Sequence, residues 1–89
     1  GGIKLIPEVS ATVENNVVAW NNGHGIWLDG CDAGQPNIVR NNYVHHNRTG
    51  IFVEVSPGAH VYNNLLLSNS VGICVCDSSN VLVFNNTIA

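Results

Sequence analysis

Four Asn-Asn pairs recur in register along this chain: Asn15-Asn16, Asn41-Asn42, Asn63-Asn64 and Asn85-Asn86. They are spaced by 26, 22 and 22 residues, and the columns around them agree. Val13, Val39, Val61 and Val83 stand three positions before the second asparagine; Val18, Val44, Leu66 and Ile88 stand two after it. Asn21, Asn47 and Asn69 follow, and then Gly25-Ile26-Trp27-Leu28, Gly50-Ile51-Phe52-Val53 and Gly72-Ile73-Cys74-Val75. The first interval is longer because the run "DGCDAGQPN" replaces a shorter loop and "NNGHG" carries one extra residue. Self-similarity at this period marks a solenoid, whose single unit cannot bury its apolar face without neighbours above and below.

Each repeat holds three short runs of alternating apolar and polar residues, separated by Asn, Gly, Ser or Pro. Alternation over four or five residues is the pattern of a strand with one buried face. No stretch sustains a 3.6-residue period, and Pro7, Pro36 and Pro57 fall in or beside the expected turns. Three strands per repeat, stacked on the next copy, describe one rung of a parallel β-helix. The asparagines then have a scaffolding role. A two-residue corner drives at least one residue toward positive φ, which Asn tolerates better than other non-glycine residues. Stacked amides can also pair up and down the axis and satisfy polar groups facing the interior.

Composition narrows the function classes. The 89 residues suffice for one small domain, residues 1–89, with a thin core. Charged residues make up 10%, against about 25% in ordinary domains. With a net charge of −3 and three Lys+Arg, there is no basic stripe for phosphates, and nucleic acid is not an expected partner. No apolar run approaches the roughly 18 residues of a membrane span, so no membrane partner is expected. Cys31, Cys74 and Cys76 are odd in number and lack zinc-ligand spacing. Cys74 and Cys76, at i and i+2 of one strand, are poorly placed to bond each other. The chain has no methionine and begins Gly1-Gly2, so residues 1–89 read as a fragment or a minimal solenoid.

The runs "VENNVVAWNN…GIWL", "VRNNYVHHN…GIFV", "VYNNLLLSN…GICV" and "VFNNTI" resemble the repeats of right-handed parallel β-helix proteins, the pectin-lyase-like superfamily. The resemblance spans residues 12–89. It implies an all-β, single-stranded right-handed parallel β-helix of about four rungs of ~22 residues, in keeping with the usual right-handed crossover. The superfamily includes polysaccharide lyases, glycoside hydrolases, alginate epimerases and carbohydrate-binding periplasmic proteins. The resemblance therefore implies a polysaccharide partner and a secreted, periplasmic or cell-surface location. For a complete enzyme it implies lysis, epimerisation or hydrolysis of uronate polymers. Such lyases use calcium-binding aspartates with an Arg or Lys base, the hydrolases clustered aspartates, and the epimerases an Asp-Pro-His-Glu run. None of these stands here as a recognisable run, so no catalytic residue carries over.

Alternation points Ile26, Leu28, Ile51, Val53, Ile73 and Val75 inward and their neighbours outward. One outward column reads Trp27, Phe52, Cys74, and the next reads Asp29, Glu54, Cys76. Rungs lie about 4.8 Å apart, so two aromatic rings stand beside two stacked carboxylates. Aromatic faces stack on sugar rings, and carboxylates accept hydrogen bonds from sugar hydroxyls. The carboxylate spacing approaches the roughly 5–5.5 Å of a retaining glycosidase pair, and Ca²⁺ is the one cofactor such a pair suggests. His24 precedes the same strand, and Asp32 sits in the long loop beside it, where binding residues gather on rigid scaffolds. The carbohydrate-binding candidates are Trp27, Phe52, Asp29, Glu54, Asp32 and His24, with no metal-ligand set expected. A further column, Glu14, Arg40, Tyr62, Phe84, reads as an inter-rung stabiliser with Arg40 over Tyr62. His45 is expected to face outward and His46 to lie at a corner. Asn47-Arg48-Thr49 and Asn85-Asn86-Thr87 match the glycosylation acceptor pattern. The alternative function is a purely structural repeat that forms homo-oligomers through its open ends.

Overall fold

A computed structural model describes residues 1–89. Twelve strands follow in order: β1 (Ile3–Leu5), β2 (Thr12–Glu14), β3 (Val17–Ala19), β4 (His24–Asp29), β5 (Ile38–Arg40), β6 (Tyr43–His45), β7 (Thr49–Glu54), β8 (His60–Tyr62), β9 (Leu65–Leu67), β10 (Val71–Cys76), β11 (Leu82–Phe84) and β12 (Thr87–Ile88). They form three four-stranded sheets, ordered β1-β4-β7-β10, β2-β5-β8-β11 and β3-β6-β9-β12. Every pairing is parallel, each strand lying on its equivalent in the next coil. The architecture is a right-handed parallel β-solenoid of about four turns, as the repeat predicts.

The register stacks like on like. Ile26 pairs with Ile51 and Ile51 with Ile73, while Val39 pairs with both Val13 and Val61. These columns, with Leu28, Val44, Val53 and Leu66, form the core between the sheets. Ile73 is only partly buried, and Val75, expected inward, is 43% exposed. Both lie in β10, the edge strand of its sheet, which has a stacked neighbour on one side. Gly50 has a packing reason: a Cβ there would lie 2.6 Å from the Gly72 carbonyl oxygen and 2.8 Å from Leu66 Cδ2. A bare backbone lets successive coils approach.

The asparagine pairs divide their labour. The first of each pair takes the left-handed conformation that turns the corner, with φ of 59° at Asn15, 56° at Asn41, 54° at Asn63 and 53° at Asn85. The second forms the ladder: Asn16 Nδ2 donates to Asn42 Oδ1 at 3.0 Å, Asn42 to Asn64 at 2.9 Å and Asn64 to Asn86 at 3.0 Å. Each of these oxygens also accepts the backbone N–H of the preceding rung's asparagine. Buried amides are thereby satisfied on both sides. A second ladder, Asn21 to Asn47 to Asn69, lines the next corner at 2.8 and 3.1 Å. There Trp20, His46 and Ser68 carry the positive φ, with His46 at its expected corner.

A third corner was not visible as a column of identical residues. Gly30, Val55 and Asp77 have φ of 69°, 46° and 49°. The ladder behind them uses hydroxyls: Cys31 N–H donates to Ser56 Oγ at 3.0 Å and Ser56 N–H to Ser78 Oγ at 2.8 Å. Cys31 occupies the serine position one rung earlier. Its thiol is buried and lies 3.4 and 3.3 Å from the carbonyl oxygens of Leu5 and Ile6, which makes it part of the scaffold.

Candidate functional site

Strands β4 and β7 set Trp27 directly beside Phe52 and Asp29 beside Glu54. The β strand's alternation points these four outward while Ile26, Leu28, Ile51 and Val53 fill the core. The two rings stack with centroids 6.2 Å apart and planes 25° apart. Trp27 Nε1 donates to Glu54 Oε1 at 3.2 Å, so one carboxylate oxygen is held by the indole. His24 joins the same group, its ring 4.9 Å from Trp27 and 4.4 Å from Phe52. His24 Nδ1 is buried there without a hydrogen-bond partner.

Lys4 completes the face. It pairs with Trp27 across β1 and β4, places its ammonium 4.1 Å from the ring centroid, and bridges Asp29 Oδ2 at 3.2 Å. The signal for it was present in the sequence: Gly2-Ile3-Lys4-Leu5 repeats the Gly-Ile-x-Leu run of residues 25–28. This geometry changes how Trp27 can act. Lys4 lies toward one side of the indole and Phe52 toward the other, so both ring faces have a protein neighbour where a sugar would stack. What faces outward is the indole edge, together with Asp29 Oδ1 and Glu54 Oε2, for which no protein partner is present.

In the next rung Cys74 and Cys76 continue the two columns, and both are free thiols. The neighbouring Asp77 carboxylate, then burial, pushes the Cys76 thiol above its ordinary range. This disfavours the thiolate and hence metal or nucleophile chemistry at that sulfur. No group of three or more His, Cys, Asp or Glu converges on a metal position.

Asp32 is placed elsewhere. It lines a cavity of about 430 Å³ with Gln35, Pro36, Pro57, His60 and Asn80, and that lining contains none of the Trp27 group. The long loop after β4 forms one wall of this groove, and the turns before β8 and β11 form the others. Gln35, His60 and Asn80 were not singled out from the sequence, because they are scattered over three rungs with no shared column.

The remaining outward groups are structural. Arg40 Nε bridges Glu14 Oε2 at 2.8 Å, and Arg40 Nη1 donates to Tyr62 Oη at 3.0 Å. The contact to Tyr62 is thus a hydrogen bond at the hydroxyl where a cation over the ring was expected. These bonds hold the Arg40 guanidinium above its usual pKa, with Tyr62 the larger cause and Glu14 the next. At the corner after β3, Trp20 stacks on His46 at 4.0 Å, and His45 and His46 share an Nδ1–Nδ1 hydrogen bond of 2.8 Å. Asn47, one of the two sequon asparagines, is 4% exposed and spends its amide on Val18, His45 and Asn69, which leaves no free amide for a glycan.

A family model described as right handed beta helix region matches residues 1–89, the whole chain. No curated protein and no solved structure matches it. The in-register coils, the paired asparagine ladders and this match together place the chain in the right handed beta helix region family.

Proposed function

We propose that this β-helix segment interacts with carbohydrate, holding an extended polysaccharide along the outer face of the β1-β4-β7-β10 sheet. The observation that carries this is the row in which Lys4 holds Asp29 and Trp27 holds Glu54, each carboxylate keeping one oxygen free. Fixed acceptors at successive rungs, about 4.8 Å apart, meet the hydroxyls of a chain running along the solenoid axis. The salt bridge and the indole N–H hold the acceptors in place, so little side-chain entropy is lost on binding. Sugar contact at Trp27 is made through the ring edge. Ca²⁺ bridging Asp29 and Glu54 belongs to the same proposal, since both free oxygens are hard donors.

The test is calorimetric titration of the chain with neutral and uronate oligosaccharides, with and without Ca²⁺, alongside Trp27→Ala and Glu54→Gln. Binding that weakens at least about tenfold in both variants, with circular dichroism unchanged, supports the face; a tenfold change is about 1.4 kcal/mol. Saccharide binding indifferent to both substitutions removes it.

A second reading, a structural repeat that self-associates, is favoured by one observation. Val83 and Ile88 are 44% and 55% exposed in β11 and β12, while their equivalents Val61 and Leu66 are buried one rung earlier. A rung from a second copy, in register, would cover them. Light scattering decides it: a mass that doubles with concentration supports association, and a constant monomer mass rejects it.

A further inference from the structure

We propose that the groove between the long loop after β4 and the turns before β8 and β11 is a second carbohydrate subsite, one that takes an uncharged sugar unit and rejects a uronate. The proposal rests on the carbohydrate reading above and adds to it a place and a charge class.

The groove's volume of about 430 Å³ falls inside the roughly 300–1,000 Å³ of small-molecule sites. Its lining suits a sugar ring. Asp32 supplies an acceptor, Gln35 and Asn80 supply amides that both donate and accept, and His60 supplies an imidazole that does the same. None of these four side chains has a hydrogen-bond partner in the protein, in contrast to Asn42 and Asn64, whose amides are fully used nearby. Pro36 and Pro57 add aliphatic ring surface for the C–H face of a pyranose. The walls formed by the turns before β8 and β11 are tied to the neighbouring rungs. Gly58 N–H donates to the Ser79 carbonyl at 2.9 Å and His60 N–H to the Asn37 carbonyl at 2.9 Å, which ties the turns to one another across rungs.

Charge sets the class. The groove contains one carboxylate, Asp32, and no Lys or Arg. The chain has only three Lys and Arg side chains, and two are engaged: Lys4 with Asp29 and Arg40 with Glu14. The third, Arg48, does not line the groove. A uronate carboxylate would thus enter a site that offers it no cation and one like charge, which costs affinity. A neutral hexose or pentose meets only hydrogen-bonding groups that match hydroxyls.

The experiment titrates the isotope-labelled chain, followed by amide NMR, with neutral glucose, mannose and xylose hexamers and with a galacturonate hexamer. Expected is binding of at least one neutral hexamer with shifts at residues 32–36, 57–60 and 80, at least about tenfold tighter than the galacturonate hexamer at low salt. Raising the salt should narrow the gap, since the exclusion is electrostatic. Gln35→Ala with His60→Ala should abolish those shifts, and Asp32→Asn should raise galacturonate affinity at least about threefold by removing the like charge. Galacturonate binding equal to or tighter than the best neutral hexamer overturns the proposal. So do neutral-sugar shifts confined to Trp27, Phe52 and their neighbours, an outcome that leaves the sheet-face reading standing. No saccharide response at millimolar concentration overturns both.

Discussion

Asn64 and Asn80 each lie where one strand hands over to the next, yet their surroundings are opposite. Asn64 is 2% exposed; its amide donates to the Val39 carbonyl and to Asn86, and its oxygen accepts the N–H and the amide of Asn42. Asn80 is exposed, takes a φ of 55°, and lines the groove with no protein hydrogen-bond partner for its side chain. The difference comes from repetition. Where an asparagine recurs at the same place in every rung, each amide has an amide above and below, and hydrogen-bonding capacity is consumed by the scaffold. Where the repeat is interrupted by loops of unequal length, polar side chains have no stacked partner and remain available to a ligand.

Substitutions can break that contrast, and the largest effect belongs to the ladder. Asn64→Ala orphans the Val39 carbonyl and the Asn42 N–H together, at about 1–3 kcal/mol for each unsatisfied buried group. Urea unfolding should show a loss of about 3 kcal/mol or more; a loss below about 1 kcal/mol would mean that water replaces the ladder freely. Cys31→Ser tests whether the hydroxyl ladder extends one rung back from Ser56. Serine at that position can donate to the Asp29 carbonyl as Ser56 donates to Glu54 at 2.9 Å. The variant should therefore fold with stability changed by no more than about 1 kcal/mol, and collapse of the fold would show that the sulfur's bulk is required. The smallest effect is expected at Asn80→Gly, which keeps the positive φ and deletes only the free amide. Thermal unfolding should change by less than about 0.5 kcal/mol, as at other exposed sites. A larger change would reveal a structural role for Asn80 and weaken its assignment to the groove.

Trp27 teaches the same lesson from the binding side. Its outward direction and its pairing with Phe52 follow from alternation and repeat register, and both hold in the structure. Its usefulness as a stacking platform does not follow, because that depends on what lies on each face of the ring. Lys4 comes from β1, a strand of three residues, and its contact with Trp27 runs across coils.

Read from residues alone, the chain dictates its repeat, its core columns and its corners. These depend on local rules: side chains alternate along a strand, and only a few residue types accept positive φ readily. Identical columns then specify their own register, since a one-residue slip would turn every Val and Ile of a strand outward. The tertiary structure alone decided which polar groups are left over. The groove joins Asp32, Gln35 and Asn80, from loops of unequal length, with His60 at the start of β8, and the neighbours on the two Trp27 faces come from β1 and β7. Both arise between coils, from loop lengths and stacking that bring distant residues together, and such contacts carry no signature in the spacing of any single stretch of sequence.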